Sequence, residues 1–298
     1  MSYIKSPLNY IGGKYRLLPQ ILPLFPEKID TFVDVFSGGF NVGINVCANK
    51  IILNDNLTYL IELFDFMRNN DLQETIEYIE NRILELGLSK TNENAYLELR
   101  KQYNKQKHPL DLFVLTAFSF NHQIRFNNKH EFNTPFGKER SSYNEKMKCN
   151  LIDFIRVLQN NKLEISNLSF EQLDYSCLKN NDFVYFDPPY LITTGTYNDG
   201  KRGFKGWGVT EEYQLLEVLD TLDKKDISFA LSNVLFHKGK ENKILQQWLN
   251  QKDYCVHDLN IHYGNSSYHT KNREKNASRE VLITNYPVEI KQYALHWE

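Results

Sequence analysis

Asp187-Pro188-Pro189-Tyr190 is the stretch of this 298-residue chain that carries the most chemistry. It follows Asp182-Phe183-Val184-Tyr185-Phe186, an apolar run that reads as a buried strand. Neither proline has an amide hydrogen for a sheet ladder, so the strand should stop at Asp187 and the chain should turn. A carboxylate, the Pro188 carbonyl and the Tyr190 ring then stand together at the carboxyl end of a strand, the edge at which open α/β sheets bind ligands. A planar base bearing an amino group could stack on Tyr190 and donate its amino hydrogens to Asp187 and the Pro188 carbonyl. That arrangement suits methylation of an exocyclic amino nitrogen. A rigid turn at a strand end is the plainer reading, because a tetrapeptide match carries a false-positive risk.

A second set of residues could cradle a cofactor. Thr31-Phe32-Val33-Asp34-Val35-Phe36 reads as a strand, and Ser37-Gly38-Gly39-Phe40-Asn41-Val42-Gly43 as a glycine-rich turn that should open a helix. The spacing is not GxGxxG, which disfavours a dinucleotide. The next strand, Lys50 to Leu53, ends in Asn54-Asp55, an acid about 20 residues beyond the turn that can accept from both hydroxyls of a ribose; Asn-Asp is also a common turn or cap. Upstream, Tyr10-Ile11-Gly12-Gly13-Lys14 is no Walker loop, but its glycines allow a close backbone approach, with Tyr10 and Lys14 directed at the site. A helix with Leu17, Leu18, Ile21 and Leu22 on one face should follow it. Phe170, soon after the strand expected at Leu163–Asn167, could stack on an adenine ring or simply pack in the core.

Between Leu57 and about Asn161 helical periodicity takes over: Leu60, Ile61, Leu63 and Phe64; Ile76, Ile79, Ile83 and Leu84; Leu97 and Leu99; and an apolar core helix from Leu110 to Phe120. That helix runs into a loop crowded with amides, aromatics and cations, including Asn121, Arg125, Asn127, Lys129, Asn133, Pro135 and Lys138. Asn pairs bidentately with adenine, Arg with guanine, and Lys holds phosphates. From Arg125 to Lys148 six cations meet three carboxylates, a basic footprint within a chain of net charge −2. A second basic stretch holds Lys201 and Arg202, and a third Lys271 and Arg273; charge runs of this kind are also ordinary solvated surface. Downstream, Thr210 reads as the cap of a helix to about Lys224, and strands are expected at 228–232, 254–260 and 280–286, with a helix from about Lys240 to Asn250.

Several classes are disfavoured. The four cysteines are scattered without CxxC spacing, which argues against a disulfide framework or a zinc site, and no histidine pair has metal-ligand spacing. No signal-peptide pattern or membrane-length apolar run is seen, so a cytoplasmic protein is expected.

In this order the pieces resemble the Dam-type DNA adenine-N6 methyltransferases, the D12 class or α group, across most of the chain. Asn9 to Lys14 looks like the family's N-terminal cofactor motif and Phe36 to Gly39 its glycine motif. Asp55 falls where the family holds the ribose, Phe132-Asn133-Thr134-Pro135-Phe136-Gly137 looks like the recognition-hairpin signature, and the catalytic tetrapeptide is intact. There are departures. Val35 precedes Phe36, Phe40 takes the third glycine position, and Ser169 stands where many members carry an acid that touches the cofactor adenine. The extended stretch from Thr193 to Gly208 is closer to the methylases of restriction–modification systems.

The resemblance implies an α/β fold: a Rossmann-like class I methyltransferase sheet, mostly parallel with one antiparallel strand. Residues 1–57 and 163–298 would form the catalytic domain, and an inserted, mainly helical segment, 58–162, the target-recognition domain. The implied cofactor is S-adenosylmethionine without a metal, held by Tyr10, Gly12, Gly13, Lys14, Asp34, Phe36, Ser37, Gly38, Gly39, Asp55, Phe170 and Asp187. The implied substrate is an adenine flipped from duplex DNA, with Asp187, Pro188, Pro189 and Tyr190 catalytic. A restriction endonuclease acting on the same site is a possible associate. An amino-methyltransferase acting on cytosine N4 or RNA, and a non-catalytic DNA-binding module, are the competing readings; a nicotinamide oxidoreductase lacks its glycine fingerprint.

Overall fold

The structure is a computed structural model that describes residues 3–10, 12–159, 162–193, 206–259 and 278–288. The expected basic contacts Lys201, Arg202, Lys271 and Arg273 lie outside the described residues. One sheet is built from β1 (Thr31–Asp34), β2 (Lys50–Asn54), β3 (Leu163–Ser166), β4 (Phe183–Phe186), β5 (Ser228–His237), β6 (Lys240–Glu241), β7 (Cys255–Leu259) and β8 (Ser278–Thr284). Its order is β3-β2-β1-β4-β5-β8-β7, with β6 hairpinned onto β5. The pairs β1–β2, β1–β4, β2–β3 and β4–β5 are parallel. β8 runs antiparallel to both β5 and β7, which makes it the reversed strand that the sequence led us to expect.

β4 is apolar throughout and the strands beside it largely so, because both faces of the sheet are covered. Phe183 and Tyr185 of β4 join one core and Val184 and Phe186 the other, as a period of two requires. α7 (Val209–Asp223) and α8 (Lys243–Leu249) cover the second face. The first face packs against α1 (Leu18–Ile21) and five longer helices: α2 (Thr58–Asn69), α3 (Leu72–Leu86), α4 (Glu93–Gln106), α5 (Pro109–Phe118) and α6 (Glu145–Leu158). Helical layer and sheet therefore share one continuous apolar cluster. Within it Phe64 of α2 lies 4.3 Å from the Phe40 ring and 5.1 Å from Phe154 of α6. Leu84 and Leu97, which the periodicity placed inward, face solvent at 76% and 38% exposure, on turns that overrun the buried stripe.

Several expectations are corrected. No helix opens after the glycine turn; Gly43–Asn45 is a single 3-10 turn. A Cβ at Gly43 would collide with Leu53, so this backbone is pressed against β2 and leaves no room for a helical barrel. The segment after Lys14 is likewise a 3-10 turn (Lys14–Leu17), one turn of α-helix and another 3-10 turn (Leu22–Leu24), because Pro19 and Pro23 remove the donors a longer helix needs. α7 starts at Val209, capped at Gly208 rather than Thr210, where the Gly208 amide donates to Glu211 Oε2 at 2.9 Å. β5 also runs to His237, well past Ser232.

Phe40 adopts φ 64°, the left-handed conformation that glycine favours, directly after the Gly38-Gly39 pair. That strain costs roughly 1–2 kcal/mol, whereas deleting a fully buried Phe ring costs about 3–5 kcal/mol. Burial wins. Phe40→Gly should thus destabilise the protein by about 2–3 kcal/mol, read as a lower urea midpoint; a higher midpoint would show that strain outweighs packing.

Candidate active site

The strand order reverses direction between β1 and β4, and in open α/β sheets a crevice opens at that point, beyond the carboxyl ends of the strands. Asp34 ends β1, Asn54 ends β2 with Asp55 next, and Asp187 follows β4. All three acids line one cavity of about 280 Å³, together with Tyr10, Gly12, Gly13 and Lys14, with Phe36, Ser37, Gly38 and Gly39, and with Phe170, Pro188, Pro189 and Tyr190. Every catalytic and cofactor candidate read from the sequence is thereby brought to one place.

The glycine turn is set by close approach. Gly38 has φ +49°, and a Cβ there would sit 2.8 Å from the Tyr10 ring. Its amide donates to Asp55 Oδ2 at 2.8 Å, and the Leu57 amide donates to Asp55 Oδ1 at 2.9 Å. Asp55 thus ties the turn to the start of α2 while lining the cavity. Burial raises its carboxyl above the usual range, and these amide donors work against that rise. Asp34 Oδ2 accepts from the Gly43 amide at 3.1 Å, but its buried Oδ1 has no partner among the described residues. Burial, reinforced by the charge of Asp187, holds the Asp34 carboxyl well above its ordinary 3.8.

Three rings form the far wall. Phe36, Phe170 and Trp207 lie 5.5–5.6 Å apart, centroid to centroid. Phe170 both packs in the core and lines the cavity, so the two fates weighed for it coincide. Trp207 is 9% exposed. Its Nε1 donates to Glu212 Oε2 at 2.8 Å, and Asn242 Nδ2 donates to Glu212 Oε1 at 2.8 Å. Glu212 is fully buried, and its carboxyl is raised by that burial despite both donors. Ser169 also lines the cavity, with Glu171 two residues on.

At the opposite end Lys14 Nζ sits 2.8 Å from Asp187 Oδ2 and donates to the Gly12 carbonyl at 2.9 Å. The Tyr190 hydroxyl lies 2.9 Å from Asp187 Oδ1 and 3.0 Å from Glu280 Oε1. Desolvation raises the Asp187 carboxyl; Lys14 pulls it down and Glu280 adds to the rise. Lys14, expected at the cofactor, is therefore paired with the catalytic candidate. Glu280 was missed because its one signal, a charge opening an apolar strand, says nothing about what lies across from it.

Of the recognition candidates, Arg125 lines the cavity, together with Ile124 and Phe126. Asn127 organises the hairpin tip: its Oδ1 accepts from the Lys129 and Glu131 amides at 2.9 and 3.0 Å. Asn121, Lys129, Asn133, Pro135 and Lys138 are exposed, while Phe132, Thr134 and Phe136 alternate inward. The hairpin is fastened to α4. Asn104 both accepts from the Phe132 amide (2.7 Å) and donates to its carbonyl (3.0 Å), and Tyr96 donates to the Thr134 carbonyl at 2.8 Å.

The buried Asp34 carboxyl, with Oδ1 unpartnered among the described residues, predicts a stability effect. A carboxyl raised on folding favours the folded state only while protonated. Its cost therefore grows as pH rises from 3.8 towards the raised folded value, and is fully present above it. Asp34→Asn should raise the midpoint of thermal unfolding at neutral pH, by an amount corresponding to about 1–3 kcal/mol, with the gain shrinking towards pH 4. Melting curves across pH check both the sign and the narrowing.

The family described as D12 class N6 adenine-specific DNA methyltransferase matches residues 10–277. The type II methyltransferase M.FokI of Planomicrobium okeanokoites is 55% identical over 285 residues, 96% of this chain and 43% of that protein. The modification methylase StsI of Streptococcus sanguinis is 54% identical over 284 residues, 95% of this chain and 43% of the relative. This chain thus spans less than half the length of both. A DNA adenine methylase of Haemophilus influenzae is 27% identical over 233 residues, covering 76% of this chain and 78% of that one. The chain belongs to the D12 class of N6 adenine-specific DNA methyltransferases.

Proposed function

We propose that this protein transfers a methyl group from S-adenosylmethionine to the N6 amino group of an adenine flipped out of duplex DNA. The observation that carries this reading is one cavity in which the Asp187 carboxylate shares walls with the glycine turn, Asp34 and Asp55. The residues fit the cofactor. Asp34 offers a buried, unpartnered oxygen for an ammonium, Asp55 retains lone pairs for ribose hydroxyls, and the Phe36, Phe170 and Trp207 rings form a wall suited to an adenine. When bound, S-adenosylmethionine supplies an electrophilic methyl on a positively charged sulfur.

The chain's own residues do the rest. Tyr190 offers its ring face to the base, and Asp187 with the Pro188 carbonyl accepts the amino hydrogens, which keeps the nitrogen lone pair available for attack. Catalysis rests on positioning and electrostatics, without a covalent enzyme intermediate. An amino group unreachable within the stack must be extruded first. Residues 58–162 would read the DNA, with Arg125 at the cavity mouth and Asn121, Asn127, Lys129, Asn133, Pro135 and Lys138 on the hairpin side. Support comes from the hairpin's attachment beside the cavity. A restriction endonuclease recognising the same sequence would be a functional associate without direct contact, by analogy with the modification methylase StsI. Among the described residues no helix is long and apolar enough to cross a membrane.

The test is expression in a host free of DNA methylation, with nucleoside analysis and single-molecule sequencing of the genomic DNA. N6-methyladenine within one short motif is the expected result. N4-methylcytosine would move the substrate to another base, and unmodified DNA would overturn the reading. Asp187→Ala should lower methyl transfer by at least about 10³-fold while duplex binding persists, since the hairpin is untouched; retained turnover would remove Asp187 from its role.

A further inference from the structure

A second carboxylate reaches the Asp187 pocket. β8 runs against its neighbours, so its beginning arrives at the edge where the parallel strands end. Glu280 stands there, paired opposite Val234 and Leu259, with a side chain only 12% exposed. Its Oε1 lies 3.0 Å from the Tyr190 hydroxyl and 3.6 Å from Lys14 Nζ.

Lys14 makes this placement consequential. Its ammonium is 2.8 Å from Asp187 Oδ2 and 5.1 Å from the centroid of the Tyr190 ring. A base stacked on Tyr190 with its amino hydrogens on Asp187 needs that same acceptor and part of that same space. The ammonium therefore holds the place of the substrate's amino group, as one nitrogen donor standing in for another. When the base enters, the displaced charge needs a new counterion, because an unpaired ammonium in a desolvated pocket is costly. Glu280 is the carboxylate within reach.

We propose that Glu280 is a positioning residue of the methyl-transfer site, which takes Lys14 over from Asp187 as the amino-bearing base arrives and holds the Tyr190 hydroxyl throughout. This rests on the methyltransferase reading above. It involves only exchange of hydrogen-bond and ion-pair partners, so no bond is made or broken at Glu280.

Glu280→Gln isolates the charge, since an amide oxygen can still accept from Tyr190 while the seat for the ammonium is lost. The full chain and its Glu280→Gln and Glu280→Asp variants would be compared on duplex DNA carrying the sequenced target motif. The readouts are single-turnover rate, KM for DNA, affinity for S-adenosylmethionine, thermal midpoint and a pH–rate profile. Glu280→Gln is expected to slow transfer by about tenfold or more and to raise the DNA KM, with cofactor affinity unchanged. The acid limb should move to lower pH. Asp187 is faced by Lys14, Tyr190, Tyr185, Asp34 and Glu280, and removing the last takes away a charge that disfavours its ionisation. Glu280→Asp, shorter by one methylene, should recover part of the rate.

In a Lys14→Met background there is no ammonium to transfer, so adding Glu280→Gln should change the DNA KM little further. Wild-type rate, KM and pH profile in Glu280→Gln would overturn the proposal. So would a loss that tracks cofactor affinity and thermal midpoint with an unmoved acid limb, or independent effects of the two substitutions. A full chain with no transfer activity at all would overturn the methyltransferase reading, and this inference with it.

Discussion

The site depends on an ion pair that takes two charges out of water. Lys14 and Asp187 face each other at 2.8 Å with side chains 5% and 16% exposed, at the edge where Asp34, Asp55 and Glu280 also converge. Asp34, Asp55 and Asp187, gathered in a poorly solvated crevice, have their carboxyls raised by burial. The Lys14 ammonium pulls the Asp187 carboxyl down against that rise, and only the ionised form accepts with both oxygens. Breaking a pair of this kind by removing one partner characteristically costs about 3–5 kcal/mol, because the other charge is left stranded. That contact therefore both shields two buried charges and, in the function proposed above, lies where a nitrogen donor would bind.

The rest of the fold holds this crevice in shape. Asp55 clamps the glycine turn through two amides, and Phe40 accepts a left-handed backbone so that its ring can anchor the turn to α2 and, through Phe64, to α6. The helical layer to which the 126–136 hairpin is fastened is consequently continuous with the core behind the glycine turn. Lys107 strengthens the attachment: it donates to the His130 carbonyl at 2.6 Å and lies 4.8–5.6 Å from the rings of Tyr103, Tyr59 and Phe126. A displacement of the hairpin would be felt at the cavity that Ile124, Arg125 and Phe126 line.

Much of this was legible in the residues. Strands covered on both faces announce themselves as apolar runs, and Asp55 and Asp187 each stand just past the end of one, so the ligand edge could be read from them, whereas Asp34, read inside a strand to Phe36, in fact ends β1. Local signals failed where tertiary contact decides. The turn after Gly43 looked like a helix start, and only the closeness of Leu53 forbids one. The second half of β5 was hidden because Asn233 interrupts its apolar pattern, although it is fully buried within the strand. Glu280 and Trp207 were invisible as site residues for a related reason. Each carries its meaning only in what the fold sets beside it, a lysine from the opposite end of the described chain in one case and two phenylalanine rings in the other.

The reversed strand also sets when the site comes into being. Among the described residues β7 pairs only with β8, and β8 must slide between it and β5 before the sheet is continuous. A chain emerging in order during synthesis would carry the glycine turn, the hairpin and Asp187 long before residue 278, yet would present an open β5 edge and an Asp187 pocket without its second carboxylate. Insertion of β8 closes the edge, a hazard for pairing with other chains, and delivers Glu280 in the same movement. Completion of the sheet and completion of the pocket are thus one kinetic event, and it joins residues at nearly the greatest sequence separation the described chain allows, the kind of contact that forms late.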